Sequence, residues 1–400
     1  MLFIDKMPGL QTHTLILVSV LILSACTGFP REHAAPSKEN YTRAQVTGFH
    51  DIRYWGDEAP PYIDKVFLRL KSALKTNPSM RERVDVLALS GGAEDGAYGA
   101  GFLKGWTQRG GRPEFTVVTG VSTGALIAPF AFLGPEYDAS IKRFFTETSK
   151  KDIFLFTPFT AIFGGTSLGD TKPLRRIIRE EVDEEFVQAI ARESLRGRIL
   201  LISTTNLDAQ RPVIWDIGRI AESGHPDATI FIRNIMLASS AVPGIFPPVI
   251  TNVTIDGKQY QEVHVDGGVT NQIFVYPHAL RVREMERHLR TYPKKKTFWL
   301  IRNTKIDPEY KPVDLTISDI ASRSISTLIK YQGRGNLLNI SNLAKRDGFD
   351  INLTHVPQDF DVAPNELFDP DYMNALYQAG YDVATSDKAW QNSLEELLEE

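Results

Sequence analysis

Two short apolar runs constrain this chain most, because each empties into a glycine-rich turn and then into a helix-forming stretch. Val84-Asp85-Val86-Leu87-Ala88-Leu89 leads into Ser90-Gly91-Gly92-Ala93-Glu94-Asp95-Gly96, with a helix expected from Ala97 to Gln108. Phe115-Thr116-Val117-Val118-Thr119 leads into Gly120-Val121-Ser122-Thr123-Gly124, with a helix from Ala125 to Leu133 that contains Pro129. Compact apolar runs of this length read as buried strands. The unit strand, glycine turn, helix, used twice, predicts an α/β domain with a mainly parallel central sheet flanked by helices. Further strands are expected at 198–204, 213–217, 297–302 and 350–355, and helices at 230–240, 317–331 and 371–384.

The 400 residues are enough for one large domain with additions, and 42% hydrophobic residues can form a core without disulfides or metal. The 49 acidic and 45 basic residues give a net charge of -4, which argues against nucleic acid as a partner. Lys294-Lys295-Lys296 reads as a solvated turn before a strand. The one cysteine excludes a disulfide within the chain. It follows the apolar stretch Leu15 to Leu23, which is too short to span a bilayer but suits a signal peptide. Leu23-Ser24-Ala25-Cys26 resembles a bacterial lipobox. The resemblance implies cleavage before Cys26, lipidation of Cys26 and anchoring in the cell envelope. With Thr27 next, it points to the outer membrane, facing the periplasm or the surface. A non-lipidated secretory signal is the alternative. The expected organisation is a signal peptide at 1–25, a tether and N-terminal extension at 26–83, the main domain at 84–390 and an acidic tail at 391–400.

The chemistry concentrates in three places. Gly120-x-Ser122-x-Gly124 matches a nucleophile elbow, where a sharp strand-to-helix turn lifts a serine above the sheet and the glycines leave room for neighbouring backbone. The small residues Ser90-Gly91-Gly92-Ala93 let backbone amides converge on one spot, as a phosphate or an oxyanion requires. A dinucleotide fingerprint fits poorly there, because Ala93 stands at the middle glycine. Asp266-Gly267-Gly268 follows Val263 and Val265, and its glycines free the backbone to place a carboxylate closely. A serine needs a base. His225, His264, His278, His288 and His355 all follow Ser122, none with a local signature.

Together these motifs resemble the patatin-like phospholipase family. The match runs through Leu89 to Tyr98, Gly120 to Gly124, Ala238-Ser239-Ser240-Ala241-Val242-Pro243-Gly244 to Pro248, and Val265 to Gly268. A late stretch from Phe368 to Tyr381 resembles bacterial members. The resemblance implies a patatin-like three-layer fold and a lipid acyl hydrolase with a serine–aspartate dyad and no cofactor or metal. Ser122 would attack the ester, Asp266 would accept its proton, and amides of Gly91, Gly92 and Ala93 would hold the oxyanion. The substrate would be a membrane lipid. Oligomeric state is not encoded in any motif.

Two departures bear on that implication. Ala93 stands where the family has a third glycine, and Asp95 where it has arginine or lysine. An inward-pointing aspartate would repel an anion. Two other readings therefore remain: an α/β-hydrolase with a Ser122, Asp266, His355 triad, and a membrane-tethered binding module with an inactive site. The aromatic stretch with Phe154, Phe156, Phe159 and Phe163 reads as core, with an acyl channel or lid as the alternative.

Overall fold

The computed structural model describes residues 31–77, 79–157 and 166–394. The apolar leader with Cys26, the aromatics Phe159 and Phe163, and residues 395–400 of the acidic tail lie outside the described residues.

The strands are β1 (Gln45–Val46), β2 (Arg53–Trp55), β3 (Arg83–Leu89), β4 (Val117–Val121), β5 (Leu155–Phe156), β6 (Gly169–Asp170), β7 (Ile199–Asn206), β8 (Arg211–Asp216), β9 (Val249–Ile255), β10 (Lys258–Asp266), β11 (Lys295–Arg302) and β12 (Asp350–His355). The longer helices are α1 (Ile63–Thr76), α2 (Gly96–Arg109), α3 (Thr123–Leu133), α4 (Asp138–Thr146), α5 (Lys172–Glu181), α6 (Glu184–Leu195), α7 (Ala228–Ser239), α8 (Val282–Leu289), α9 (Ile317–Asp347) and α10 (Pro370–Thr385). β7, β4, β3, β11 and β12 are parallel neighbours in that order. Their near-continuous apolar sequences fit burial on both faces, with helices on each side. The α/β class and the mainly parallel sheet are as the strand–turn–helix units predict.

The antiparallel additions decide where the site forms. β8 pairs with one edge of β7 along Leu201–Asn206. On the other edge, β4 pairs with Ile199 through Ser203, and β10 takes over at Thr204 through Asn206. β4 and β10 therefore meet nearly end to end along one strand edge. β9 and β10 form a hairpin across Asp256 and Gly257, both at positive φ, the backbone that an Asp-Gly hairpin turn provides.

Residues 31–55, part of the expected tether and N-terminal extension at 26–83, line the outer strands. The Gln261 amide donates to the Ala34 carbonyl, β1 pairs with β9, and β2 pairs with β8. Arg53 on β2 forms a two-toothed ion pair with Glu262 on β10, and both are largely buried. Breaking such a pair from one side strands a charge.

Other boundaries move for local reasons. β4 begins at Val117 rather than Phe115 and runs to Val121, into the elbow motif. α9 runs sixteen residues past the expected end at Tyr331, to Asp347. Gly333 does not stop it: a side chain there would meet the buried Arg302 guanidinium at 2.2 Å, so the glycine serves close packing. α2 and α10 cross on glycines. A Cβ at Gly101 would lie 1.9 Å from the Tyr377 carbonyl oxygen, and one at Gly380 would lie 2.1 Å from that of Tyr98. Gly101→Ala should push the two helices apart and cost about 1–3 kcal/mol by overpacking. A urea midpoint equal to that of the native chain would contradict this close contact.

Candidate active site

Ser122 sits between the end of β4 and the start of α3, at φ 54° and ψ -124°. This is a sparsely populated conformation for a residue with a side chain, and it persists only where the surroundings impose it. The surroundings are specific. The Ser122 amide donates to Ser239 Oγ at 3.0 Å, Ser239 Oγ donates to the Ser203 carbonyl at 2.7 Å, and Ser240 Oγ donates to the Ser122 carbonyl at 3.3 Å. The elbow glycines are sterically required. A Cβ on Gly120 would lie 2.4 Å from the Gly124 carbonyl oxygen, and one on Gly124 would lie 2.3 Å from that of Leu89.

Asp266 ends β10 opposite Thr204, one residue along β7 from the Ser203 that pairs with Val121. That handover brings the two side chains together. Ser122 Oγ donates to Asp266 Oδ2 at 2.6 Å, and the Gly268 amide donates to Oδ1 at 2.7 Å. The Asp266 amide donates to the Ala241 carbonyl, so the Ser239–Ala241 segment holds both partners. A Cβ on Gly267 would lie 2.4 Å from the Ser203 carbonyl oxygen, which makes that glycine a packing requirement. Only 4% of Asp266 and 7% of Ser122 is exposed. Burial pushes the Asp266 carboxyl up to about 7, against the lowering pull of its bonds from Ser122 and Gly268. An alcohol hydrogen-bonded to a carboxylate poised near neutrality can hand over its proton as its oxygen attacks an electrophile.

The turn after β3 is arranged differently from the simplest reading. The Gly91 amide donates to the Gln272 carbonyl at 3.1 Å. Gly91 therefore acts as a spacer, with its Cβ position 3.1 Å from Ser122 Cβ, and not as a donor to a bound anion. Among the described residues, the amides of Gly92 and Ala93 have no acceptor. Both carry positive φ, 156° and 50°. Their N–H groups are thus free to donate to a ligand. Asp95 does not bond to the dyad. Tyr372 Oη donates to its Oδ1 at 2.5 Å, and burial pushes it up to about 7, so at neutral pH its charge is partly titrated away.

Several supports had no local signal. Asn303 donates from its side chain to the Ser90 carbonyl at 2.7 Å, and its amide donates to Ser90 Oγ. Gln272 donates to the Gly268 carbonyl and to Gln332, and Asn336 accepts from the Gln272 amide. Apart from the Gly268 carbonyl, their partners are 60 or more residues away, beyond any motif. Ser239 and Ser240 lay inside a matched motif, but their roles needed the fold.

The histidines stand apart from the dyad. His355 lies at the end of β12, across β3 and β11 from β4, about 14 Å away at the usual strand spacing. Its Nδ1 meets the Val356 carbonyl at 2.8 Å. The structure therefore does not assemble a Ser122–Asp266–His355 triad. His264 is fully buried between Thr204 and Glu262. Among the described residues, no group of three or more His, Cys, Asp or Glu side chains is placed to hold a metal.

A cavity of about 40 Å3 opens beside Ser122, walled by Leu126, Phe145, Leu174, Val242, Phe246 and Phe368, with Ala93 at its rim. Phe154 is buried against Phe246 and Phe368, and thus packs behind this wall, while Phe156 is exposed. A larger apolar cavity of about 190 Å3 lies between α1, α8 and the opposite ends of β3, β4 and β7, remote from Ser122.

Residues 87–277 match the family model for patatin-like phospholipases. No curated protein matches the chain. Among solved structures, VipD from Legionella pneumophila is 14% identical, with a TM-score of 0.36 over 80% of this chain and 67% of its own. Human GIVD cytosolic phospholipase A2 is 10% identical, with a TM-score of 0.35 over 89% of this chain and 65% of its own.

The electrostatics carry a stability consequence. The folded state holds the Asp266 proton more tightly than the unfolded chain, whose carboxyl titrates near 3.8. The stabilisation is fully present below that value and is lost as pH rises through about 7. Urea melts at pH 4.5, 6 and 8 should show the native chain losing stability relative to Asp266→Asn as pH rises. A constant difference would contradict the raised value.

Proposed function

We propose, from the match of residues 87–277 to the patatin-like phospholipase family model, that the chain hydrolyses acyl esters of membrane lipids through a Ser122–Asp266 dyad. The observation that carries the reading is the 2.6 Å hydrogen bond from Ser122 Oγ to a buried carboxylate, with no imidazole between them. The apolar wall beside Ser122 suits an acyl chain rather than a polar substrate.

In this reading Ser122 Oγ attacks the ester carbonyl carbon while its proton passes to Asp266 Oδ2. The carbonyl oxygen takes up negative charge and is met by the amides of Gly92 and Ala93, each of which contributes on the order of 3 kcal/mol in comparable sites. The start of α3 adds its dipole. Collapse expels the alcohol, which leaves with the proton from Asp266, and an acyl-serine remains. Water then attacks that ester, gives its proton to Asp266, and the carboxylic acid departs as Ser122 recovers its hydrogen. We further propose that Cys26 carries the lipid anchor and holds the enzyme at the outer membrane, beside its substrate.

Ser122→Ala and Asp266→Asn should each reduce hydrolysis of a short-chain ester by at least about a thousandfold in folded protein. His355→Ala should leave it unchanged. Because the base must be ionised, kcat/KM should rise with pH and level off above about 7. Full activity in either dyad variant, failure of a fluorophosphonate to label Ser122, or loss of activity in His355→Ala would defeat the reading.

A further inference from the structure

Two unusual surfaces flank the dyad. The first is a groove of about 790 Å3 lined by Lys151, Lys172, Arg175, Arg176, Arg179 and Arg233, with no acidic lining residue among those described. Lys172 pairs with Asp170 and Arg176 reaches Glu180 at 4.0 Å. Among the described residues, Lys151, Arg175, Arg179 and Arg233 form no ion pair. Burial and the neighbouring Arg179 lower the pKa of Arg233, as expected of crowded cations. Exposed Leu155 and Ile230 also line it. Leu174 walls the Ser122 cavity and the next residue, Arg175, lines the groove, so α5 contributes to both.

The second surface is the first half of α9. Ile317, Ile320, Ser324, Leu328 and Tyr331 follow at three- and four-residue steps, with Ala321 beside Ile320, and so share one face. That face is uncovered, with Ile317 90% and Leu328 71% exposed. Leu315, just before the helix, is 94% exposed. An apolar stripe of this extent marks an interaction surface. It runs to the site: Gln332, one turn beyond Leu328, bonds to Gln272 and to the carbonyl of exposed Val269, beside the Asp266 turn.

We propose that these two surfaces dock the enzyme on an anionic phospholipid bilayer, the cationic groove on the lipid phosphates and the α9 stripe in the acyl boundary. The proposal rests on the lipid-hydrolase reading for its purpose, and on charge and exposure for its content. Clustered cations bind anionic lipid surfaces with about a fivefold gain per residue, and an amphipathic helix lies at such an interface on its apolar face. A protein partner for the stripe alone would leave the groove's charge unexplained.

The test uses the full chain carrying Cys26→Ser and Ser122→Ala, so that neither an acyl anchor nor hydrolysis contributes. Sedimentation with phosphatidylcholine vesicles, alone or mixed with phosphatidylglycerol, should show preference for the anionic mixture, weakened at 1 M salt, where screening reaches about 3 Å. Adding Lys172→Glu, Arg175→Glu and Arg179→Glu should lower binding to the anionic vesicles about 100-fold. Adding Ile317→Ser and Leu328→Ser should weaken binding to both vesicle types. On a background with Ser122 intact, the charge-reversed chain should hydrolyse a short soluble ester normally. Loss of that reaction in the native chain would strike the catalytic reading and leave the docking result standing. Equal binding by parent and charge-reversed chains, or salt-insensitive binding by the parent, would overturn the proposal. So would unchanged vesicle binding by the stripe variant with conversion of a dimer to a monomer, which would make the stripe a contact between copies.

Discussion

One edge of β7 organises the site. β4 occupies that edge as far as Ser203, and β10 begins at Thr204. A strand followed directly by a serine and a strand that ends in an aspartate thus arrive at neighbouring positions from opposite directions. Side chains alternate between faces along a strand, so a one-residue slip of β10 would send Asp266 to the wrong face. The hairpin with β9, the buried Arg53–Glu262 pair and the bond from the Asp266 amide to Ala241 all resist that slip. The outer strands and the N-terminal segment are in this sense part of the dyad's support.

Burial without a neighbouring cation gives Asp266 its character. Glu262, four residues earlier on the same strand, is equally enclosed, yet its carboxyl is held down at about 2 against its own burial by Arg53 and His264. Asp266 has only hydrogen bonds, and its carboxyl rises to about 7. The same type of side chain thus becomes a fixed structural anion at one position and a proton acceptor at the other. Asp95 belongs with the second kind, since its bond from Tyr372 does not offset burial. The acidic replacement beside the turn is therefore a weaker obstacle to an anion than the sequence implies.

The elements that local pattern determines were legible: continuous apolar β3, the elbow around Ser122, and β12, whose bounds at Asp350 and His355 match the expectation. The Asp266 motif was visible only beside the others, because a DGG turn alone is an ordinary strand end. The β9–β10 hairpin had a usable signal in Ile255-Asp256-Gly257-Lys258, between alternating strands. What was not legible depended on distant partners. Nothing near Gly91 shows that its amide is taken by Gln272, and nothing near Gly333 shows that Arg302 fills the space beside it. Residues 31–41 lacked period because their order comes from strands two hundred residues away.

The hydroxyl and the carboxylate lie 144 positions apart along the polypeptide, and neither meets the other until the parallel core and the returning hairpin are both in place. A nascent or partly threaded chain therefore has no assembled nucleophile. Completion of the sheet is itself the step that brings the two side chains together.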